Sequence, residues 1–292
     1  MRKNKRREVF PYLNGLLMVV LGAIFVIPFW MMLTASFSDN TRLMANGISV
    51  WFQGFSFEGY VFLFQMSDIF ARAILNSVIV SLASSVLSVV LCTSAAYVLS
   101  KKDLVGRKIL NIVFMIPMFF GGGMIPTFLV IRGIGIYNTL WSLILPGSLA
   151  VANVLLIRNY FYGIPHSLYE ASELDGANQL QILTKVYIPL AVPIMMTVGM
   201  STFVAKWNSW IDVLLYFGAS NKEWWTVQYV LRQILTDMQA LFGGSNGGSI
   251  IGAPLISARN AAIVVAVTPL IAIMPILHKY YIKGMTQGAV KG

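Results

Sequence analysis

Apolar residues fall in long blocks along the chain, and shorter polar or basic segments separate the blocks. A block of about twenty apolar residues is long enough for a helix to cross the hydrocarbon core of a bilayer. The pattern predicts six membrane-spanning helices, at residues 12–37, 73–99, 109–131, 141–157, 190–217 and 259–281. It therefore predicts an all-α polytopic membrane protein, with a single transmembrane domain over residues 1–292.

The first apolar block follows a basic start, which is also typical of a secretory signal peptide. The apolar run from Tyr12 to Phe37 is longer than the apolar core of about 7–15 residues that a signal peptide has. We therefore interpret the block as an uncleaved first span that begins in the cytoplasm.

The third apolar block is interrupted by Pro117, by three glycines at positions 121–123 and by Pro126. Each glycine destabilises a helix interior by about 1 kcal/mol relative to alanine. A broken helix at membrane depth is tolerated only against protein or beside a water-filled cavity. The interruption therefore indicates either a translocation path at Gly122 or a packing kink against a neighbouring helix.

The fifth apolar block contains the charged residues Lys206 and Asp212. Charged side chains within a span usually face the bundle interior or an aqueous path, although an interfacial position is the alternative. The two residues are six apart, which is neither i+3 nor i+4, so they need not pair. The candidate substrate path consists of five residues from the third, fourth and fifth blocks: Gly122, Asn153, Trp207, Asn208 and Asp212.

The composition agrees with a membrane protein, because 57% of the residues are hydrophobic and only 11% are charged. The net charge of +10 would also suit nucleic-acid binding. Under the six-span topology, however, fourteen of the 21 Lys and Arg residues lie in the cytoplasm. This asymmetry is the one that orients membrane proteins, and it predicts that both termini are cytoplasmic.

The sequence contains no arrangement that is typical of catalysis. It has no metal-ligand cluster, no paired carboxylates within a span and no nucleotide-binding motif. The chain is therefore expected not to be an enzyme and to hold no metal or cofactor. If transport consumes ATP, the ATP and Mg must be bound by a partner.

Residues 165–187 form a polar segment between the fourth and fifth blocks. Ser167 and Glu170 have the spacing of a capping box, which predicts a helix start at Ser167. Asp175 and Gly176 predict its end, and a second helical run is expected to reach Val186. The pattern alone leaves open whether this bent pair of amphipathic helices merely lies on lipid headgroups.

The same segment carries the pattern EAS-x3-G-x9-V-x-IP from Glu170 to Pro189. It resembles the EAA loop of ATP-binding-cassette importer permeases, EAA-x3-G-x9-I-x-LP, with replacements of similar size at Ser172, Val186 and Ile188. In that family the loop is a coupling helix that docks on a separate ATPase. The resemblance implies that the ATPase-coupling residues are Glu170, Ala171, Ser172, Leu174, Asp175, Gly176 and Pro189.

Further runs, among them PMFFGGGMIPTF, GIYNTLWSLILP and the ending KGMTQGAVKG, are similar to the carbohydrate uptake branch of that family. They resemble the oligosaccharide permeases of the LplC/YtcP type and the second membrane subunit of the maltose importer. The resemblance implies a type I importer fold in the bacterial cytoplasmic membrane. It also implies three partners: a second homologous permease, an ABC ATPase dimer and an extracytoplasmic solute-binding protein. The C-terminal residues expected to contact the ATPase are Thr286, Gln287 and Gly288.

Two alternative functions remain at this point. One is an ABC permease for another small solute, such as an amino acid or a polyamine. The other is an ion-coupled secondary transporter in which Lys206 and Asp212 form the coupling site. Secondary transporters often contain pairs of broken helices in repeated halves. Only one clearly broken span is predicted here, which favours the importer.

Overall fold

The protein is described by a computed structural model that covers residues 6–65, 68–101, 103–218, 221–236 and 255–289. Side chains are described over the same ranges except at residues 6–10, 255 and 276–289. Within these ranges the ordered elements are helices, and strand-like pairing is limited to one isolated bridge between Ser38 and Phe55. The all-α prediction is confirmed.

Fourteen α-helices are described along these ranges, and we number them in chain order. They are α1 Arg6–Ser36, α2 Asn40–Asn46, α3 Glu58–Gln65, α4 Asp68–Ser100, α5 Arg107–Phe119, α6 Met124–Gly133, α7 Trp141–Ile144, α8 Val151–Tyr162, α9 His166–Leu174, α10 Gln179–Ile182, α11 Ile188–Trp207, α12 Ile211–Tyr216, α13 Val227–Thr236 and α14 Leu255–Ala289. A π-helical turn, Leu183–Tyr187, joins α10 to α11.

The described helices supply four continuous segments that are long and apolar enough to cross a membrane: Pro11–Ser36, Asp68–Ser100, Gln179–Trp207 and Ile256–Pro275. Helices α5 and α6 make a fifth if the bent pair counts as one broken span. The polytopic membrane architecture agrees with the prediction. The count of six spans and the cytoplasmic position of both termini stay predictions.

The predicted interruption of the third block is confirmed. Helix α5 ends at Phe119, α6 begins at Met124, and the two helices are bent by 115°. Gly123 lies between them with a φ of 82°, in the left-handed region that favours glycine.

The fourth block does not form the continuous helix expected over residues 141–157. Helix α7 ends at Ile144 and α8 begins only at Val151. Pro146 lacks the backbone N–H that a continuing helix would use, and Gly147 has a φ of 78°. The prediction of a single helix here is wrong, because this Pro-Gly pair forms a turn inside an apolar run.

The chain divides into two compact units. One unit comprises Met1–Ala71 and Leu231–Thr268. Within it, α3 approaches the start of α14 closely, because a Cβ atom on Gly59 would lie 2.7 Å from the carbonyl carbon of Ser257. The Asn40 Oδ1 atom accepts a hydrogen bond of 3.0 Å from the backbone N–H of Ile256. The segment after α1 is therefore folded against α14.

The other unit comprises Arg72–Val230 and Pro269–Gly292. Its core joins α4, α8, the π-turn and α11, through Cys92, Ala96, Tyr97, Leu99, Val154, Ile157, Phe161, Leu183, Ala191, Ile194 and Val198. Helix α4 also buries serines at one-turn spacing, namely Ser77, Ser81, Ser84 and Ser88. Small side chains allow helices in a bilayer to approach closely, and this packing positions the two regions described next.

Candidate functional site

The polar segment between α8 and α11 begins with helix α9, whose N-cap lies two residues earlier than the predicted Ser167. Pro165 occupies the N-cap position, and Ser167 already lies in the first turn. The predicted capping box is wrong, because the fixed φ of Pro165 starts the helix before Ser167 can cap it. The Glu170 carboxylate instead lies 3.2 Å from the His166 Nδ1 atom, an ion pair when His166 is protonated.

Helix α9 ends where the sequence predicts. Asp175 follows its last residue, and Gly176 has a φ of 78°, the usual left-handed conformation after a helix C-terminus. The backbone N–H of Ala177 donates to the Ser172 carbonyl over 3.0 Å, which closes the end of the helix.

The second helical run begins as expected but does not stop at Val186. Asn178 and Gln181 form a capping box at the start of α10. The helix then continues through the π-turn and through Pro189 and Pro193 to Trp207. The expected boundary before Pro189 is wrong, because the helix passes through the π-turn Leu183–Tyr187 directly into α11, which contains Pro189 near its start and Pro193 within it. The predicted coupling segment is thus one short exposed helix, α9, followed by the start of a long apolar helix.

Six of the seven predicted coupling residues lie together on α9 and its C-terminal end, and Pro189 lies in the first turn of α11. Helix α9 buries none of its residues, and Leu174 is 89% exposed. An isolated leucine on a surface needs no explanation, but here the whole helix is exposed and carries Glu170 and Glu173 in addition to Leu174.

A polar network attaches α9 to the end of α4. The Gln179 Oε1 atom accepts a hydrogen bond of 2.8 Å from the Tyr97 hydroxyl and another from the Lys101 ammonium group. The Gln179 Nε2 atom donates to the Tyr169 hydroxyl over 3.0 Å and to the Glu173 Oε1 atom over 3.3 Å. The Tyr169 hydroxyl in turn donates to Glu173 over 2.5 Å.

Burial and hydrogen bonding shift the pKa values of two groups in this network. The hydrogen bond from Tyr169 to Glu173 raises the pKa of the Tyr169 hydroxyl, and burial acts in the same direction. Burial lowers the pKa of Lys101, while the Glu173 carboxylate opposes this effect. Sequence analysis did not identify Gln179. The signal that could have indicated it is its position at the start of the helix that follows the break at residues 175–178.

A cavity of about 740 Å³ lies beside the broken helices α6, α7–α8 and α11–α12. Gly122, Asn153 and Asp212 line it, as the candidate substrate path requires. Trp207 does not, because its ring is fully buried and stacks on Phe203 with the centroids 5.9 Å apart. Polar groups from Thr127, Ser201 and Ser209 also line the cavity, which sequence analysis did not identify.

Asn208 also lies outside this cavity. Its Nδ2 atom donates to the Val204 carbonyl over 3.0 Å, and its Oδ1 atom accepts from the Gln228 amide over 3.3 Å. The structure thus brings together three of the five residues of the candidate path and places Trp207 and Asn208 elsewhere.

Lys206 and Asp212 form an ion pair, with 3.3 Å between the Lys206 Nζ and Asp212 Oδ2 atoms. The Lys206 ammonium group also donates to the Leu143 carbonyl over 2.7 Å. The two residues do pair, which their spacing did not predict. The spacing rule assumes one continuous helix, but α11 ends at Trp207 and α12 begins at Ile211. The predicted span over residues 190–217 is therefore two helices.

The lining of the cavity has no net charge from the side chains that the structure describes. Lys206 and Asp212 are the ionisable acid and base among them, and their charges cancel. Asp212 is the more accessible member of the pair, with 26% of its side chain exposed against 10% for Lys206. The cavity is therefore neutral, and its wall sets a few hydrogen-bonding groups among apolar side chains such as Met124, Ile211 and Leu215.

The tail residues expected to contact an ATPase lie in α14, whose backbone is helical to Ala289. The structure describes only the backbone of Thr286, Gln287 and Gly288. Over the residues that are described, no group of three or more His, Cys, Asp or Glu side chains is arranged to hold a metal ion.

Comparison with known proteins identifies relatives of this chain. The family described as "Binding-protein-dependent transport system inner membrane component" matches residues 88–287. The polygalacturonan/rhamnogalacturonan transport system permease protein YtcP of Bacillus subtilis (strain 168) is 34% identical, over 98% of this chain and 100% of the relative. Protein LplC of the same organism is 32% identical, over 100% of this chain and 98% of the relative.

The fold also matches a solved structure. A chain from the crystal structure of a bacterial ABC transporter involved in the import of the acidic polysaccharide alginate superposes with a TM-score of 0.87. The sequences are 26% identical, and the match covers 96% of this chain and 99% of that chain.

Proposed function

Because this chain belongs to the family of binding-protein-dependent transport system inner membrane components, we propose that it is the permease subunit of an ATP-driven importer that carries an oligosaccharide into the cytoplasm. The observation that carries the proposal is α9, an exposed helix between two membrane helices that presents the EAS-x3-G pattern of a coupling helix. The alternative of an ion-coupled transporter offers no reason for this helix.

The energy source in this proposal lies in partner subunits. The sequence has no nucleotide-binding motif, so an ATPase dimer would bind ATP and Mg and dock on α9. The family description, which specifies dependence on a binding protein, supports a solute-binding protein as a second partner. A homologous permease would complete the translocation pathway.

The proposed mechanism follows from the packing around α9. ATP closes the ATPase dimer, and α9 moves with the subunit on which it is docked. Helices α8 and α11 flank α9 in the chain and share one core with α4. Packed cores transmit displacement because they are not continuously deformable. Movement of α9 would therefore rotate these helices and open the cavity beside α6, α11 and α12 to alternate sides.

The substrate is proposed to be a saccharide because the neutral cavity places hydrogen-bonding groups among apolar side chains. Asp212 and Asn153 offer oxygen atoms that accept hydrogen bonds from hydroxyl groups. YtcP is named for polygalacturonan and rhamnogalacturonan transport, and the solved structure for import of the acidic polysaccharide alginate. In this chain the ammonium group of Lys206 is already paired with Asp212. We therefore propose that the cavity wall near Lys206 recognises hydroxyl groups rather than carboxylates.

The proposal predicts that Glu170→Lys weakens assembly with the ATPase. Glu170 is an exposed acid on α9, and charge reversal would replace an attraction to a basic group on the ATPase by repulsion. We expect recovery of the ATPase to fall about tenfold, which corresponds to about 1.4 kcal/mol. The measurement is a pull-down of the tagged chain from its native membranes in mild detergent, with the partners identified and quantified by mass spectrometry.

The matched control is Glu58→Lys, which makes the same charge change on an exposed acid at the start of α3, on the predicted outer side. It should leave ATPase recovery unchanged. Equal ATPase recovery with Glu170→Lys and wild type would contradict the docking role of α9. Sugar uptake that persists after ATP depletion and stops with ionophores would contradict the importer itself.

A further inference from the structure

We propose that Gln179 is a positioning residue that couples α9 to the cytoplasmic end of α4, so that ATP-driven movement of α9 reaches the membrane helices. The inference rests on the proposed function, because it assigns a role within ATP-driven transport. Gln179 is not one of the motif residues of the coupling segment.

Both polar atoms of the Gln179 side-chain amide form hydrogen bonds. Its Oε1 atom accepts from Tyr97 and Lys101, at the end of α4 and directly after it. Its Nε2 atom donates to Tyr169 and Glu173, which both lie on α9. Only a side chain with an acceptor and donors on one planar group can serve both sets of partners at once.

The attachment matters because α9 is exposed, and the described contact that reaches the end of α4 without Gln179 is weak: the Lys101 ammonium group lies 5.7 Å from the centroid of the Tyr169 ring. None of the residues of α9 is buried, and Gly176 at its end has a conformation that allows the chain to bend. A helix connected only through its two loops would move without displacing its neighbours. The Gln179 network gives α9 a direct link to α4, a helix that is distant in the chain.

The link continues into the core. The Tyr97 ring packs edge-to-face on the rings of Phe161 in α8 and Tyr187 in the π-turn, with the centroids 6.5 and 5.2 Å apart. A displacement of Gln179 would thus act on α4, α8 and α11 together. The π-turn starts four residues after Gln179, and π-helical turns are frequent at functional sites.

A purely local role for Gln179 in starting α10 does not account for these contacts. The start of α10 is capped by Asn178 and Gln181, whose side chains bond reciprocally to each other's backbone N–H groups over 2.9 Å. The Gln179 side chain takes no part in this capping box. Gln181→Leu is therefore a matched control, since it removes an exposed glutamine from the same turn and disturbs only the local cap.

The test compares Gln179→Leu with Gln181→Leu in the complete importer, purified with its partners and reconstituted in vesicles. We expect Gln179→Leu to lower sugar uptake per ATP hydrolysed about tenfold, while the amount of bound ATPase stays the same. Gln181→Leu should retain uptake per ATP within about twofold of wild type. Normal coupling in Gln179→Leu, or an equal loss in both variants, would overturn the proposal.

A third variant, Gln179→Glu, supplies a readout that a structural role would not change. The introduced carboxylate keeps the acceptor for Tyr97 and Lys101 but cannot donate to Tyr169 or Glu173. Protonation restores one donor, so coupling relative to wild type should recover as the pH falls to about 4, near the ordinary pKa of a glutamate side chain. A variant-to-wild-type ratio that does not change with pH would contradict the dual role of the amide.

The attachment itself is measured by the distance between spin labels at Ser167→Cys on α9 and Val98→Cys on α4, in a Cys92→Ser background. Both sites are exposed, and Cys92 is the single native cysteine. We expect a broader distance distribution with Gln179→Leu than with Gln181→Leu. The distance measurement needs no ATPase, so it tests the Gln179 link separately from the proposed function. Equal distance distributions in Gln179→Leu and Gln181→Leu would refute the link. Absence of ATP-driven uptake in wild type would refute the proposed function.

Discussion

Lys206→Leu is expected to destabilise the chain by about 3 kcal/mol, because it removes one partner of a largely buried ion pair. The Asp212 carboxylate would lose the ammonium group 3.3 Å away, and the Leu143 carbonyl would lose its donor at 2.7 Å. The measurement is the unfolding temperature of the purified protein in detergent, together with the yield of folded protein.

The double variant Lys206→Leu/Asp212→Leu separates the ion pair from general packing. Replacing both partners by apolar side chains leaves no uncompensated charge, so it should be more stable than Lys206→Leu alone. A loss in the double variant that equals the sum of the two single losses would mean that the groups do not interact.

A milder change at the same place tests the cavity rather than the fold. Asp212→Asn keeps an oxygen acceptor for Lys206 but leaves the ammonium group without a counter-ion. Its stability should therefore lie between wild type and Lys206→Leu. Any further loss of sugar uptake in folded Asp212→Asn would reflect the carboxylate that lines the cavity.

The sequence predicted the break in the third span but not the break in the fourth, for a physical reason. Three successive glycines and two prolines leave the third block little helical stability, so the interruption was evident. The fourth block contains a single Pro146-Gly147 pair in an otherwise apolar run. A Pro-Gly pair is a strong turn signal, but the length of the apolar run alone suggested a continuous helix.

The position of the predicted coupling residues on α9 and at its C-terminal end was largely predictable because their pattern is local. The residues from Glu170 to Gly176 lie within two helical turns, so their shared position on α9 follows from their spacing. The contacts that attach the segment are not local. Tyr97 and Gln179 are 82 residues apart, and Lys206 and Leu143 are 63 apart. Periodicity carries no information on such pairs, because they depend on how separate helices pack.

The second large effect is expected at Gly59, where the absence of a side chain allows α3 to approach the start of α14. In Gly59→Ala a Cβ atom would lie 2.7 Å from the Ser257 carbonyl carbon and 2.9 Å from the Ala258 nitrogen. Both are backbone atoms, so no side chain can rotate away, and the helices must separate. We expect a loss of about 3 kcal/mol, the upper end for overpacking, measured as a lower unfolding temperature in detergent.

Gly15→Ala is the matched control for Gly59→Ala, because it makes the same substitution at a glycine in α1 that has no neighbour within 4 Å of the added Cβ atom. Alanine stabilises a helix interior by about 1 kcal/mol relative to glycine, so this variant should be as stable as wild type or more stable. An unfolding temperature for Gly59→Ala equal to that of Gly15→Ala would contradict close packing of α3 on α14. A selective loss at Gly59 would instead mean that the contact requires glycine, since the chemical change is identical at both sites.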